Sequence, residues 1–290
     1  MIAPRYWIGM IALVLMWGTS YALIEVALLA VGPLEIVMGR MLSGIAVMAT
    51  VCIVLRKAWP VAGATLWRLA GVGLFGNALP FLLISLGQTH IDSAVTGVLM
   101  ALMPLSVLIF THLLLPHDPL TRWHWLGVIM GLFGIVVLMS PDLSWPVAGP
   151  VSGHLMVLGA ALSYGLAAVI ARSLPPGNVW TNTTVILMFG VLLMLPVAAW
   201  QGVDFSGVGF NAATGSVLFL GIASTGLAGV LFLYIVAGTS ASFVANINFL
   251  IPVWAVLIGV VVMNEPMPVT LFVAMALVLG GITVTQRRPS

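Results

Sequence analysis

Long apolar runs alternate with short polar or turn-forming segments along the whole chain. A helix needs about 20 apolar residues to cross the hydrocarbon core of a bilayer, and the runs reach that length. Proline and glycine mark most of the breaks between them. The pattern predicts an all-α, polytopic membrane protein with ten transmembrane helices, near residues 7–29, 34–55, 68–88, 93–115, 123–140, 152–172, 180–200, 214–236, 240–263 and 268–286.

The distribution of basic residues gives an independent test of this topology. If the N-terminus is cytoplasmic, the inner segments hold eight basic residues: Arg5, Arg56, Lys57, Arg68, Arg122, Arg172, Arg287 and Arg288. The predicted outer segments hold neither Lys nor Arg, and Arg40 lies within a span. Positive charge accumulates on the cytoplasmic side of membrane proteins. We therefore expect both termini to be cytoplasmic, in the plasma (inner) membrane.

Composition excludes several classes of protein. Of the 290 residues, 62% are hydrophobic and only 6% are charged, whereas soluble domains carry roughly a quarter charged residues. The basic residues are scattered and form no run that could follow nucleic-acid phosphates, so we expect no nucleic-acid partner. Cys52 is the single cysteine, and no metal-ligand cluster is visible. We expect no metal and no cofactor. The expected partners are the lipid bilayer and a small-molecule substrate, with the protein a monomer or homodimer.

The two halves of the sequence resemble each other. The fourth predicted span contains Pro104 and the ninth contains Pro252, 148 positions later, each after a start rich in small residues. The pairs Trp17-Gly18 and Tyr164-Gly165 are 147 positions apart. Each half has five predicted spans, so the second half would enter the membrane from the opposite side. We predict two inverted five-helix repeats, residues 1–140 and 152–290, joined by a linker at 141–151. Transporters with this plan bind substrate near the midplane.

Proline within a span leaves a carbonyl group of the preceding turn without its hydrogen bond. In lipid this carbonyl must find another partner or line a wet cavity. Pro104 and Pro252 therefore suit either packing kinks or a hinge or gating role, and their occurrence in both halves favours the second interpretation.

These motifs resemble the drug/metabolite transporter superfamily, specifically its ten-span EamA-type branch. The resemblance depends on Trp17-Gly18-Thr19-Ser20, on Pro33 followed by Arg40, on Pro104, and on the ninth span and its sequel. That last stretch runs from Ser242 through Leu250-x-Pro252-x-x-Ala255 to Asn264-Glu265-Pro266, and Gly280-Gly281-Ile282 closes the pattern. The first half departs from the family pattern, since Pro116-His117-Asp118 stands where Gly-Glu is usual; His117 or Asp118 is a possible substitute.

The resemblance implies a helical bundle around a central cavity. It also implies a secondary transporter that exports small polar metabolites by alternating access. Amino acids, including aromatic or apolar ones, are the leading substrate class. A multidrug or cation efflux transporter is the alternative. A membrane-embedded enzyme fits less well, because five of the seven acidic residues lie at outer ends or loops and no catalytic cluster appears; we expect no enzymatic activity.

Charged residues at lipid depth are costly unless they pair or face a cavity. Glu25 and Arg40 lie at similar depth in the first two spans. They suit a structural ion pair, or contact with a substrate or a coupling proton.

The substrate-binding candidates are polar or aromatic residues expected inside the bundle. Asn77 and Phe81 share one face of the third span with Gln88, which suits either a cavity or interhelical hydrogen bonds. Aromatic residues near mid-span lie away from the interfacial belts. The candidate set is Trp17, Ser20, Asn77, Phe81, Tyr164, Asn248 and Trp254.

Overall fold

The computed structural model describes residues 2–57, 59, 63–114, 121–142, 150–175, 177–204, 209–239, 243–244 and 246–286. All regular elements within these ranges are helices, which confirms the predicted all-α class. Eight apolar helical segments are long enough to cross a membrane: α1 Pro4–Leu28, α2 Pro33–Val54, α3 Thr65–Gly87, α4 Ser93–Leu114, α5 Arg122–Met139, α6 Pro150–Arg172, α7 Val179–Gln201 and α8 Ala212–Gly238.

Two shorter apolar helices follow, α9 Ile247–Val261 and α10 Val269–Thr285. Residues 240–242 and 245, which belong to the ninth predicted span, lie outside the described ranges. The count of ten spans therefore stays a prediction. Ser242, His117, Asp118, Arg287 and Arg288 also lie outside the described residues.

The two mid-span prolines have different local surroundings. Helix α4 is divided into Ser93–Met100 and Met103–Leu114, so Pro104 occupies the first turn of the second part. A missing N–H group is tolerated there. Pro252 instead lies inside α9, which begins at Ile247. The break in α4 is compatible with the predicted hinge, and the gating role of both prolines stays a prediction.

Two helices contain π-helical segments at corresponding places in the halves. In α3 the segment is Leu74–Ala78, just before Pro80, and in α8 it is Leu220–Leu227. The sequence offset of 148 brings Asn77 onto Thr225, so the two segments occupy matching positions. π-Helical turns release backbone groups from the regular ladder and are frequent at functional sites.

Glycines on α5 and α10 let these two helices pack in close contact. A Cβ atom at Gly127 would collide with the carbonyl oxygen of Gly281, and one at Gly281 would lie 2.6 Å from the carbonyl oxygen of Gly127. Further along α5, Gly134 faces Ala274. Since later residues of α5 meet earlier residues of α10, the two helices run antiparallel.

Other close contacts repeat in the two halves at similar offsets. Gly18 packs against Trp254, and Gly165 packs against Ser106; these two contacts are related by offsets of 147 and 148. Likewise Gly73 approaches the backbone of α7 at Ile186 and Gly190, and Gly221 approaches α2 at Arg40 and Ser43. Corresponding helices of the two halves therefore make equivalent crossings.

Two hydrogen bonds near helix ends agree with the predicted sides of the membrane. Arg68 donates to the Ser173 carbonyl oxygen at 2.6 Å, and both residues are predicted to be cytoplasmic. At the other end, the Asp204 backbone donates to Glu35 Oε1 at 3.0 Å. Each pair thus lies on one predicted side.

Candidate functional site

Arg40 is the buried cation of the bundle interior. Only 7% of its surface is exposed. Its Nε atom donates to Thr225 Oγ1 on α8 at 2.8 Å, and its guanidinium carbon lies 3.7 Å from the centroid of the Phe81 ring on α3. The Thr225 hydroxyl in turn donates to the Leu220 carbonyl oxygen at 2.8 Å, within the π-helical segment of α8. Arg40 is therefore held in place by one hydrogen bond and one stacked ring.

Two tyrosines from different halves lie within electrostatic range of this guanidinium. Tyr21 of α1 and Tyr164 of α6 both interact electrostatically with Arg40, and they interact with each other. None of the described residues hydrogen-bonds to either phenolic hydroxyl or to the terminal nitrogens of Arg40. The Arg40 cluster consists of Tyr21, Arg40, Phe81, Tyr164 and Thr225.

The predicted ion pair between Glu25 and Arg40 is not present, which corrects that interpretation. Arg40 contacts Thr225 and Phe81, while Glu25 lies beside Glu265 and Asp92. Shared depth did not bring the two side chains together, because they face different neighbours across the helix pair. A coupling role for either residue stays a prediction.

Glu265, in the loop between α9 and α10, caps the N-terminus of α4. Its carboxylate accepts hydrogen bonds from the backbone N–H groups of Ser93 at 3.0 Å and Ala94 at 2.8 Å, and from the Ser93 hydroxyl. The side chain supplies acceptors for donors that a helix N-terminus leaves free. Asn264 has a positive φ of 57°, which turns the chain so that Glu265 reaches α4.

The indole N–H group of Trp17 binds the backbone of α8. Its Nε1 atom donates to the Ser224 carbonyl oxygen at 2.9 Å, and the Ser224 hydroxyl donates to the Met16 carbonyl oxygen at 2.9 Å. In the other half, the Ser163 hydroxyl of α6 donates to the Phe75 carbonyl oxygen at 2.7 Å. Each π-helical segment is thus hydrogen-bonded to the first helix of the opposite half.

The other predicted binding residues are distributed around this region. Trp254 Nε1 donates to Thr19 Oγ1 at 2.9 Å, and Ser20 donates to the Met16 carbonyl oxygen at 2.9 Å. Asn77 lies in the π-helical segment of α3 and is half-buried, as is Asn248 of α9. The structure brings Phe81 and Tyr164 to Arg40 and ties Trp17, Ser20 and Trp254 into helix contacts.

Three buried polar atoms near these helices have no hydrogen-bond partner among the described residues: Glu25 Oε2, Ser85 Oγ and Gln88 Oε1. The Nε2 atom of Gln88 does donate to the Tyr21 carbonyl oxygen at 2.9 Å. Buried polar atoms are nearly always satisfied in proteins.

Sequence reasoning missed Tyr21 and Thr225. Tyr21 follows the Trp-Gly-Thr-Ser motif directly, and Thr225 is the repeat equivalent of Asn77 at an offset of 148. The offset could have identified Thr225. Its contact with Arg40 depends on how α2 crosses α8, for which the sequence offers no direct signal.

These features define a polytopic helical membrane protein built from two related halves, with a polar cluster between them. The EamA-like transporter family matches residues 5–140 and, a second time, residues 151–286. The chain belongs to this family and is a membrane transporter of small molecules.

Several relatives are similar over most of their length. The "uncharacterized transporter YoaV" of Bacillus subtilis is 24% identical, over 95% of this chain and 94% of that protein. An "uncharacterized transporter" of Archaeoglobus fulgidus is 24% identical, over 98% and 99% of the two chains. The "uncharacterized inner membrane transporter YedA" of Escherichia coli K12 is 23% identical, over 95% and 89%.

The fold is also found in a solved crystal structure of another protein. That structure covers 97% of both chains with a TM-score of 0.63 and 23% sequence identity. At this identity the similarity establishes the fold alone.

Proposed function

We propose that the protein is a secondary transporter that exports small polar metabolites, amino acids foremost, across the plasma membrane by alternating access. One observation supports this most directly: Tyr21, Arg40 and Tyr164, from both halves, come together in the bundle interior with hydrogen-bonding capacity unused by the described residues. Such groups are costly at membrane depth unless they serve a ligand or a path for it.

The proposed mechanism depends on two inverted repeats. The antiparallel contact of α5 with α10 and the repeated glycine contacts support this arrangement. The π-helical segments of α3 and α8, each bonded to the first helix of the other half, would let the halves move about a polar centre. No Gly-x-x-x-x-Gly-Lys loop occurs in the 290 residues, so the driving force is a gradient or exchange rather than nucleotide hydrolysis.

The test is flux of labelled amino acids across proteoliposomes that contain the purified protein. Tyr21→Phe and Tyr164→Phe should each reduce the rate several-fold, because they remove only a hydroxyl group at the proposed site. Tyr234→Phe is the matched control, since Tyr234 is exposed and stacks on Tyr6 at 5.3 Å. Absence of flux for a broad amino-acid panel would refute this function. If all three variants transported at the same rate, Tyr21 and Tyr164 would not belong to the substrate site.

Cation efflux is the alternative class. An exposed or paired acid in the Arg40 cluster would favour it, but the electrostatic partners of Arg40 among the described residues are Tyr164 and Tyr21. The positive charge of the cluster disfavours a cationic substrate.

A further inference from the structure

The electrostatics of the Arg40 cluster are unbalanced. Arg40 is buried, and no described carboxylate forms an ion pair with it. A buried charge without a partner is strongly unfavourable. The guanidinium nevertheless has a defined position, because Thr225 holds Nε and the Phe81 ring covers one face.

Helix packing alone does not require an arginine here. The close approach of α8 to α2 at Arg40 and Ser43 has an equivalent in the approach of α3 to α7 at Ile186 and Gly190. The matching contacts of Gly221 with the Arg40 carbonyl oxygen and of Gly73 with the Ile186 carbonyl oxygen place Ile186 at the position of Arg40, and Ile186 is half-buried. The same crossing therefore forms with an isoleucine, so close helix packing does not explain the charge.

The unused part of Arg40 has the geometry of an anion-binding group. With Nε bonded to Thr225, the two terminal nitrogens remain, and none of the described residues accepts a hydrogen bond from them. Two parallel N–H donors on a planar guanidinium match the two oxygens of a carboxylate. Tyr21 and Tyr164 lie near enough to interact electrostatically with Arg40, and each carries a phenolic hydroxyl that can donate a hydrogen bond to an anion.

We infer that Arg40 anchors the carboxylate of the transported molecule, and that this carboxylate, rather than an amino group, is the required recognition element. The inference rests on the proposed transport function and names its substrate class: small carboxylates whose apolar or aromatic part lies against Phe81, Tyr21 and Tyr164. Amino acids belong to this class, as do analogues without the amino group.

Three small probes separate the two ends of such a substrate: phenylalanine, 3-phenylpropionate, which lacks the amino group, and phenethylamine, which lacks the carboxylate. Binding to the purified protein is measured by calorimetry and by the shift in melting temperature. The parent protein should bind the first two and not the third. Arg40→Gln should weaken binding of both carboxylates about tenfold or more, the effect expected for loss of a charge-assisted hydrogen-bonded pair.

Matched variants control for folding and for charge. Arg172→Gln removes another arginine whose partner is a threonine, Thr111 at 3.3 Å, but at the exposed end of α6; binding should be unchanged. If Arg40→Gln does not fold, Phe81→Leu keeps the charge and removes the stacked ring, and it should lower carboxylate affinity several-fold.

The outcomes distinguish this inference from the transport proposal. Three results would overturn the inference. Phenethylamine could bind as tightly as 3-phenylpropionate, or neither carboxylate could bind to the parent protein. The third is unchanged carboxylate affinity in both Arg40→Gln and Phe81→Leu. Arg40-dependent binding without flux of any amino acid would leave the carboxylate site intact and refute transport. If Arg40→Gln left the flux unchanged, Arg40 would not anchor the substrate, and the transport proposal would stand.

Discussion

Arg40 on α2 and Thr225 on α8 are joined by a hydrogen bond of 2.8 Å that connects the two halves of the chain. The Thr225 hydroxyl accepts a hydrogen bond from the guanidinium and donates one to the Leu220 carbonyl oxygen. The bond thus links the position of the buried cation to the π-helical segment of α8. Any movement of that segment relative to α2 must stretch or break it.

Thr225→Val should therefore release Arg40 without removing its charge. We expect a loss of roughly 1 kcal/mol in the free energy of unfolding, the usual value of one hydrogen bond, together with slower transport. Thr225→Ser should restore both, because the hydroxyl is retained. Thermal melts and flux assays measure the two effects, and a Val variant with parental flux would show that Arg40 needs no fixed orientation.

Glycine contacts between α5 and α10 should respond sharply to an added methyl group. A Cβ at Gly281 would lie 2.6 Å from the Gly127 carbonyl oxygen, whereas one at Gly280 would meet only the flexible end of Met130 at 3.3 Å. Gly281→Ala should cost about 1–3 kcal/mol, as overpacking does, and Gly280→Ala should be nearly neutral. The melting temperatures of the two variants in detergent test this difference. Equal melting temperatures would contradict the close antiparallel packing.

Glu265 should contribute to stability through the N-terminus of α4. Glu265→Ala removes the acceptor for the Ser93 and Ala94 backbone donors, and we expect a loss of about 1–3 kcal/mol for a charge-assisted cap. Glu265→Gln keeps one acceptor oxygen and should lose less. Glu35→Gln, which alters a single bond to the Asp204 backbone, is the comparison. Hydrogen exchange of the first turn of α4 measures the effect locally.

Trp17 should act on stability more than on ligand choice. Trp17→Phe removes the bond to the Ser224 carbonyl oxygen, and interhelical bonds of this kind in membranes average about 0.6 kcal/mol. We expect a small drop in melting temperature and an unchanged order of ligand affinities. Trp200→Phe, on a side chain that is 86% exposed, is the neutral control. A changed order of affinities would return Trp17 to the binding site as the sequence predicts.

Membrane sidedness can be read from introduced cysteines. With Cys52 replaced by Ala, Phe210→Cys and Trp59→Cys each place one thiol at an exposed position between helices. A membrane-impermeant maleimide should label the first in intact cells and the second only after permeabilisation, because positive charge places 56–57 inside. The reverse result would overturn the predicted orientation and the order of crossings that depends on it.

The helical class and the duplication could be predicted from sequence because both depend on local and periodic information. Apolar length alone separates helices from loops in a bilayer, and the offset between Pro104 and Pro252 exposed the repeat. Phe81 is buried, as expected of a residue inside the bundle, and its part in substrate binding stays a prediction. The resemblance to the transporter family depended on short motifs such as Trp17-Gly18-Thr19-Ser20 and is confirmed by the two family matches.

Residue depth was a poor guide to pairing. Glu25 and Arg40 lie at comparable distances along neighbouring helices, yet each meets a different partner. Rotation of a helix about its axis decides which neighbour a side chain reaches, and that rotation is set by the packing of all adjacent helices. Trp17 illustrates the same point, because the sequence did not predict that its indole N–H binds a carbonyl in the π-helical segment of α8; its place in a cavity stays a prediction.

The amino-acid sequence by itself determined a bilayer-spanning helical chain in two related halves, since hydrophobic length and internal similarity are properties of the chain order. Only the tertiary structure decided that Arg40 contacts Thr225 and Phe81, with Tyr21 and Tyr164 in electrostatic range, rather than an acid. The contact with Thr225 joins helices far apart in sequence, so it exists only once the helices have packed and their close glycine crossings have fixed which faces meet.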